Sequence, residues 1–438
     1  MTSRIALAAA LLLVLGSIPA GARAAGKGGA KVLVVGVDAG EWDVLGPLMD
    51  QGRCPNFARM RAQGSAGKLR SLLPLARSPV IWASIATGKV PEKHGIQDFF
   101  MRMKGIDTES GDEVPADRRR PQNSTVWQAR PIWKILGGLG RTVGVVGWWT
   151  TWPAQPVNGT LVTDYVQYSH SKWPTSGSRR TYPESLSTMV ERMRRRPESV
   201  SWAEVFQFVP AFDTTRTTER RQAIVHDLKW IYAADVTFYR VALELYRAKH
   251  PDFFTVYFRG VDEMSHLYWD PDTYNEHHDE PLTAAEKAWL KPLIPNYYAF
   301  TDRLLGEFLK EAGKNTDVIV CSDHGFGGGG QGVMAHKPDG IVFMMGPHVV
   351  KGGTITGATV LDIAPSILAL FGLPTARDMD GRPIAGGLQP ALVKRMERET
   401  RLQTYETGRA EGPSSEEPLR SPVDDELRER LRSLGYIQ

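Results

Sequence analysis

The feature that most constrains this chain is a short apolar run close to its N-terminal end. Residues 31–37 read KVLVVGV, a continuous run rich in β-branched side chains. A run of this kind is typical of a strand that is buried on both faces of a parallel sheet. Similar runs recur along the sequence, as TVGVVG at 142–147, FFTVYF at 253–258, VIVC at 318–321 and GIVFMM at 340–345.

Helical patterns lie between these runs, for example at 55–63 and 304–312. Because strands alternate with helices, the sequence predicts an α/β fold, doubly wound, with a mainly parallel central sheet and helices on both faces. We expect this domain to occupy residues 25–388. The stretch at about 168–250 is largely helical in pattern, and we interpret it as a cap insertion beside the active face.

The two ends of the chain differ in character from its middle. Residues 1–24 combine the basic Arg4, an apolar run and a small-residue cleavage pattern, which together are typical of a secretory signal peptide. An uncleaved membrane anchor is the alternative interpretation, but the apolar run is short for a bilayer span. Residues 389–438 form a charged tail, in which we expect disorder at 406–422 and a final helix at 424–434 that docks through its leucines.

Composition excludes some functions. The formal net charge is only +4 over 438 residues and no long basic block occurs, so we expect no binding to nucleic acid. Cys54 and Cys321 allow at most one disulfide, and neither has a partner at metal-ligand spacing. No transmembrane domain is expected in the mature chain, because no other stretch is long and apolar enough. We therefore expect an exported protein, periplasmic or secreted.

Acidic residues follow three of the predicted strands. Asp38 comes directly after the first run, Asp262 comes one short turn after 253–258, and Asp323 follows 318–321 closely. In open α/β sheets, ligands bind beyond the carboxyl ends of the strands. One aspartate there is an ordinary turn residue, whereas three of them with histidines nearby indicate a functional site.

The histidines suggest what this site binds. Asp262 and His266 stand at i and i+4, so one turn of helix presents both to the same cation. Asp323 and His324 form a second pair at the start of a glycine-rich loop, and His336 follows that loop. Any one of these histidines alone is as well explained as an ordinary core or surface residue. Together, mixed Asp/His ligands suit zinc, and two adjacent sites suit phosphoryl transfer.

Ser78 is a candidate nucleophile. Ser78 and Pro79 precede the apolar run VIWASIAT and then Gly88, a pattern of helix cap, helix and terminating glycine. A serine in this place is either a plain helix cap or a nucleophile that benefits from the positive end of the helix dipole. The position alone does not choose between these two roles.

Taken in order, these segments resemble a known family. VGVDAGEWD, SPVIWASIATGKVPEKHGI, VDEMSH, SDHGF and AHKPDGIVFMMGP are similar to the successive motifs of the alkaline phosphatase superfamily. The resemblance is strongest to its type I phosphodiesterase/nucleotide pyrophosphatase branch and runs from about residue 31 to 374. It implies hydrolysis of a small-molecule, lipid or nucleotide phosphate ester, with two divalent metal ions, expected to be Zn2+.

The resemblance also implies roles for single residues. Ser78 would be the metal-activated nucleophile, through a phospho-serine intermediate. One zinc would be held by Asp38, Ser78, Asp323 and His324, and the other by Asp262, His266 and His336. In the nucleotide pyrophosphatases an asparagine that follows the HGI motif helps to hold the phosphate, and Phe99 stands at that place here.

Substrate contacts are expected from Phe99, Trp149 and Arg77. Few basic residues lie near Ser78 in the sequence and aromatic ones are frequent, so we expect diesters to be preferred to monoesters. A sulfatase is an alternative on the same scaffold, although residues 78–82, SPVIW, lack the Cys/Ser-x-Pro-x-Arg pattern that formylglycine formation needs. A phosphoryl or phosphoethanolamine-type transferase and a catalytically silent binding protein are further alternatives.

Overall fold

The computed structural model describes residues 29–72, 74, 77–101, 120–168, 178–212, 214–215, 218–269, 282–327, 335–406 and 421–436. The predicted signal peptide lies outside the described residues, as does nearly all of the stretch at 406–422 for which disorder is expected.

A large sheet organises the described residues. Nine strands form it in the order β11-β2-β10-β7-β1-β6-β3-β4-β5, and β8 pairs with β9 separately. The strands are β1 Lys31–Val37, β2 Ser65–Arg70, β3 Val143–Val146, β4 Gly159–Val162, β5 Thr181–Tyr182, β6 Phe253–Phe258, β7 Thr316–Cys321, β8 Gly325–Phe326, β9 His336–Lys337, β10 Asp339–Met345 and β11 Gly353–Thr359.

The pairing confirms the predicted fold class. β7, β1, β6, β3 and β4 are mutually parallel, and β11 is parallel to β2. β10 runs antiparallel to both of its neighbours, and β5 runs antiparallel to β4. All five apolar runs singled out in the sequence become strands of this one sheet. The sheet is therefore mainly parallel, with two antiparallel members among the described strands.

Helices cover both faces of the sheet. Along β1, Leu33 and Val35 belong to one buried cluster, whereas Val32 and Val34 belong to the other. This alternation follows from the pleat, since successive side chains of a strand point to opposite faces. The helices are α1 Trp42–Asp50, α2 Pro55–Gln63, α3 Ser78–Thr87, α4 Pro91–His94, α5 Ile132–Gly138, α6 Ser187–Met193, α7 Trp202–Phe206, α8 Glu219–Lys249, α9 Gly260–Tyr268, α10 Ala284–Leu290, α11 Leu293–Ala312, α12 Ile363–Leu370, α13 Pro390–Arg398 and α14 Asp424–Ser433.

The region interpreted from sequence as a cap insertion contains α6, α7 and the long helix α8. Ile231 and Val241 of α8 are buried in the same cluster as Leu33 of the central strand. Helix α8 therefore packs directly on the sheet, and its buried Asp235 accepts hydrogen bonds from the backbone N–H groups of Arg259 and Gly260 at 3.2 Å each. The division of the chain into a domain and a cap stays a prediction.

The C-terminal helix α14 packs back onto the domain. Leu427, Leu431 and Leu434 are each no more than 4% exposed. Its apolar face thus continues into the buried interior, which places the end of the described chain beside the carboxyl edge of the sheet. Among the described residues, no helix combines the length and the apolar character that a bilayer span requires.

Candidate active site and metal centre

Neighbouring strands bring the predicted carboxylates together. β7, β1 and β6 lie side by side and run in the same direction. Asp323 follows β7, Asp38 follows β1, and Asp262 lies in the first turn of α9, directly after β6. All three side chains are no more than 3% exposed. The topology therefore gathers at one sheet edge three residues that are far apart in the sequence.

Asp38, Asp323 and His324 form the first cluster, within which the candidate ligand atoms lie close enough to share one ion. His324 Nε2 lies 3.4 Å from Asp38 Oδ1 and 3.3 Å from Asp323 Oδ2. The other oxygen of Asp38 is held from outside the cluster, because Trp82 Nε1 donates to Oδ2 at 3.3 Å and the Tyr257 hydroxyl donates to it as well.

Asp262, His266 and His336 form the second cluster. Asp262 and His266 lie one turn apart on α9, as their spacing predicts, with Asp262 Oδ1 3.2 Å from His266 Nε2. His336 comes from β9 and brings its Nε2 to 3.6 Å from the same oxygen. The imidazole rings of His336 and His324 stack with centroids 3.6 Å apart, so the two clusters adjoin.

The donor atoms of both clusters fit divalent cations. Asp38 Oδ1, Asp262 Oδ1, Asp323 Oδ2 and His324 Nε2 are buried and have no hydrogen-bond partner among the described residues. Burial, with the negative charge of Asp38, holds the pKa values of Asp262 and Asp323 well above the usual range of a carboxyl group. Burial also lowers the pKa of His324 to about 3, which keeps the imidazole neutral, the form that binds metal. A bound cation would give these atoms the partner that they lack. Its positive charge would also lower the pKa values of the two carboxyl groups.

Ser78 lies beside both clusters. It lines one small cavity together with Asp38 and Asp262, and its side chain is buried. Helix α3 begins at Ser78, so the N-cap residue is Arg77, and no side chain caps this end. The interpretation of Ser78 as the N-cap is therefore wrong by one residue, a usual margin at helix ends. The helix ends at Gly88 with φ of 68°, as the sequence predicts.

The expected substrate contacts lie in different surroundings. Trp149 lines the Ser78 cavity, and its Nε1 donates to the Tyr257 hydroxyl at 2.7 Å. Phe99 is buried 6.1 Å from Trp149, ring centroid to ring centroid. Arg77 pairs instead with Asp98, with Nε 3.5 Å from Oδ1, and does not line the cavity.

Sequence reasoning missed several residues that line this cavity. Arg259 directly precedes α9, Glu263 follows Asp262 on that helix, and the Tyr168 hydroxyl accepts a hydrogen bond from Arg259. The sequence carries a signal for Arg259, a charged residue that directly follows a buried, mainly apolar strand. Arg430 and Tyr436, from the C-terminal segment, also line it. The expectation that few cations lie near Ser78 rests on its neighbours in the sequence alone. In the fold, Arg259 and Arg430 also line the cavity.

Tyr436 closes the cavity from the C-terminal side. Its hydroxyl donates to Asp262 Oδ2 at 2.7 Å, and its ring lies 4.6 Å from that of His266 and 4.7 Å from that of Phe99. The free volume left in this cavity is about 10 Å³. Ligand pockets commonly hold about 300–1,000 Å³, so the described conformation is closed.

The fold and the paired aspartate–histidine clusters at its carboxyl edge define a protein of the alkaline phosphatase superfamily. A candidate sulfatase from Bacteroides thetaiotaomicron has a similar fold, with a TM-score of 0.50, 11% identity and coverage of 85% of this chain and 75% of that one. Human ectonucleotide pyrophosphatase/phosphodiesterase 5 gives a TM-score of 0.43 at 16% identity, covering 78% of this chain and 95% of that one.

More narrowly, the chain belongs to the Type I phosphodiesterase / nucleotide pyrophosphatase family, whose sequence profile matches residues 32–342. Ectonucleotide pyrophosphatase/phosphodiesterase family member 3 of Bos taurus is 25% identical over 217 residues, 49% of this chain. The extracellular sulfatase SULF-1 homolog of Drosophila melanogaster is 27% identical over 167 residues, 31% of this chain. The matched segments span only 17% and 15% of those two proteins.

Proposed function

We propose that this chain is an exported, metal-dependent hydrolase of phosphate esters, diesters among them, with Ser78 as its nucleophile. The observation that carries the proposal is the position of Ser78, whose side chain lines one cavity with a carboxylate from each candidate metal cluster. Membership of a phosphodiesterase family supports the reaction class. Export is supported by the N-terminal sequence pattern and by the extracellular description of the Drosophila relative.

The proposed reaction has two displacements. Ser78 Oγ attacks phosphorus, the bond from phosphorus to the leaving alcohol breaks, and the alcohol takes up the proton that the serine gives up. Water then attacks the phospho-serine and regenerates the free hydroxyl. Two divalent cations, for which zinc is the expected metal, would neutralise phosphoryl charge and lower the pKa values of the serine and of the attacking water.

Residues around the first cluster orient the groups that this reaction needs. Trp82 and Tyr257 donate to one oxygen of Asp38, which fixes the carboxylate and directs its other oxygen into the first cluster. Burial raises the pKa of the Tyr257 hydroxyl well above its usual value, so that it stays a neutral donor. Ser78 begins helix α3 and lines the cavity, so its hydroxyl is placed where a substrate would bind.

Ser78→Ala tests the proposal. The purified proteins are assayed with bis(p-nitrophenyl) phosphate, p-nitrophenyl phosphate and p-nitrophenyl sulfate. We expect the wild type to hydrolyse the phosphate esters, and Ser78→Ala to lose at least about 10³-fold in kcat with its metal content unchanged, the scale on which loss of a nucleophile acts. Faster turnover of the sulfate would instead indicate a sulfatase.

Ser84→Ala is the matched control for this experiment. Ser84 is a buried serine of the same helix α3, and its hydroxyl bonds to His94 Nε2 at 2.9 Å, away from the clusters. This variant should lose stability, by about 1 kcal/mol for one buried hydrogen bond, yet retain turnover. Equal loss of turnover in both variants would mean that disturbing α3, and not removing the nucleophile, stops the reaction.

A further inference from the structure

Arg259 presents buried, charged N–H groups to the cavity that holds Ser78. It follows β6 directly and is 2% exposed. Its Nε and Nη2 make no hydrogen bond to the described residues. A guanidinium is always charged in proteins and presents a planar fork of donors, so these two groups suit the oxygens of an anion.

Three contacts hold the Arg259 side chain and backbone in place. The guanidinium carbon lies 4.8 Å from the centroid of the Trp149 ring, and Nη1 donates to the Tyr168 hydroxyl at 2.9 Å. The Arg259 backbone N–H donates to the carboxylate of Asp235 on α8. Stacking of this kind fixes the plane of the guanidinium without using Nε or Nη2.

Arg259 pairs with a carboxylate that a second arginine shares. Its nearest carboxylate is that of Glu263, with Oε1 3.4 Å from Nη1. Glu263 is itself shared, because Arg430 Nη2 lies 3.3 Å from its Oε2. Arg430 also pairs with Asp227, at 3.1 Å, and its guanidinium carbon lies 4.4 Å from the centroid of the Trp230 ring. One buried carboxylate thus stands between two buried guanidinium groups at the cavity wall.

Arg259 lines the same cavity as Ser78 and Asp38. Its guanidinium carbon is 5.9 Å from the centroid of the Tyr257 ring, and the Tyr257 hydroxyl donates to Asp38 of the first cluster. The fork of Arg259 therefore flanks the cluster side of the Ser78 cavity. A charged group of an ester bound in this cavity would have the Arg259 guanidinium in the surrounding wall.

We propose that Arg259 determines specificity by binding a second negative charge of the substrate, beyond the single charge that every phosphodiester carries. The inference rests on the proposed ester hydrolysis at Ser78. The second charge has two sources, the transferred phosphoryl group of a monoester or an anionic substituent on the other ester group of a diester. Both offer oxygen acceptors that match the free Nε and Nη2.

Three esters with the same leaving group separate these sources. Methyl p-nitrophenyl phosphate has one negative charge, p-nitrophenyl phosphate has its second charge on phosphorus, and carboxymethyl p-nitrophenyl phosphate has it on the ester group. Arg259→Met keeps an unbranched apolar stem but removes the guanidinium group and its charge. We expect kcat/KM of at least one doubly charged ester to fall about 10-fold or more, and that of the methyl ester to change by less than about 3-fold.

Two further variants control for folding and for general charge. Arg259→Lys keeps the charge without the fork, so the selective loss should be smaller than in Arg259→Met. Arg77→Met removes an equal charge outside the cavity, and any loss it causes should be the same for all three esters. Thermal unfolding of each variant shows whether the fold is retained.

The outcomes separate this inference from the proposed function. Equal losses for the three esters in a folded Arg259→Met protein would overturn the role of Arg259 while leaving ester hydrolysis intact. Wild-type protein that hydrolyses none of the three esters would overturn the proposed function itself. If kcat/KM falls selectively for p-nitrophenyl phosphate, the charge that Arg259 binds lies on the phosphoryl group. If it falls selectively for the carboxymethyl ester, that charge lies on the ester group.

Discussion

The hydroxyl of Tyr436 donates a hydrogen bond to Asp262 Oδ2 at 2.7 Å, which joins the end of the chain to the second cluster across 174 positions of sequence. The ring of Tyr436 makes an edge-to-face contact with that of His266, and together with Leu431 and Leu434 it lines the closed cavity at Ser78. In this conformation the C-terminal segment forms part of the wall of a cavity that is too small for an ester.

The first prediction concerns this closure. Tyr436→Ala removes the ring and enlarges the cavity, so we expect kcat/KM for bis(p-nitrophenyl) phosphate to rise several-fold. Tyr436→Phe keeps the ring and loses only the hydrogen bond to Asp262, so it should change this value much less. Steady-state kinetics measure both. A large loss of activity in both variants would show that Tyr436 supports the second cluster instead of obstructing it.

The second prediction concerns metal content. The two clusters have separate carboxylates, so Asp262→Asn should lose one equivalent of zinc per chain and Asp323→Asn the other, against two in the wild type. Elemental analysis after gel filtration measures this without any assay of activity. Zinc at 100 times its Kd should also raise the free energy of unfolding by about 2.7 kcal/mol per site.

Asp98→Asn is the control for these metal measurements. Asp98 is a partly exposed carboxylate that pairs with Arg77 outside both clusters, so this variant should keep both zinc equivalents. Wild-type protein without stoichiometric zinc, manganese or iron after incubation with each metal would contradict the assignment of the clusters.

The sequence predicts those parts of this site that depend on residues close together in the chain. The strands, and the aspartates that follow them, could be predicted because burial on both faces imposes a continuous apolar run and the turn beyond it needs polar residues. The spacing of Asp262 and His266 likewise fixes a shared helix face. No local pattern, in contrast, marks Tyr436 as a neighbour of Asp262. That contact arises only when α14 docks, and docking depends on the whole tertiary surface.

The third prediction concerns pH and His94, a buried histidine of α4. Ile96 N–H donates to its Nδ1 at 3.2 Å, so the neutral ring carries its proton on Nε2, which faces Ser84 Oγ. Burial lowers the pKa of His94 to about 3 from its ordinary value of 6.5. The folded state therefore resists protonation, and the stabilisation present above pH 6.5 is lost as the pH falls towards 3.

The measurement compares the wild type with His94→Gln in denaturant at several pH values. Between pH 6.5 and about 4, the wild type should lose about 3 kcal/mol relative to the variant, because one pKa unit corresponds to about 1.4 kcal/mol. Parallel pH profiles for the two proteins would show that His94 does not titrate with unfolding.

The fourth prediction concerns Gly36 of β1, the strand that Asp38 follows. A Cβ atom at this position would lie 2.8 Å from the Trp82 ring, the same ring that donates to Asp38. Gly36→Ala should therefore cost about 1–3 kcal/mol of stability through overpacking and should lower turnover by displacing Trp82. Gly138→Ala, where the added atom meets nothing within 4 Å, is the control for denaturant midpoints. If Gly36→Ala unfolds at the same denaturant concentration as the wild type, the Trp82 ring moves aside without loss of stability.

Peptide mapping of acid-quenched reactions tests whether Ser78 becomes phosphorylated during turnover. Wild-type protein is mixed with bis(p-nitrophenyl) phosphate, quenched within the first turnovers and analysed by mass spectrometry, alongside Ser78→Ala. We expect a covalent nitrophenyl-phosphoryl adduct on the peptide that contains Ser78, formed at the rate of nitrophenol release and missing from Ser78→Ala. Rapid release of nitrophenol with an unmodified Ser78, or with the adduct on another residue, would contradict it.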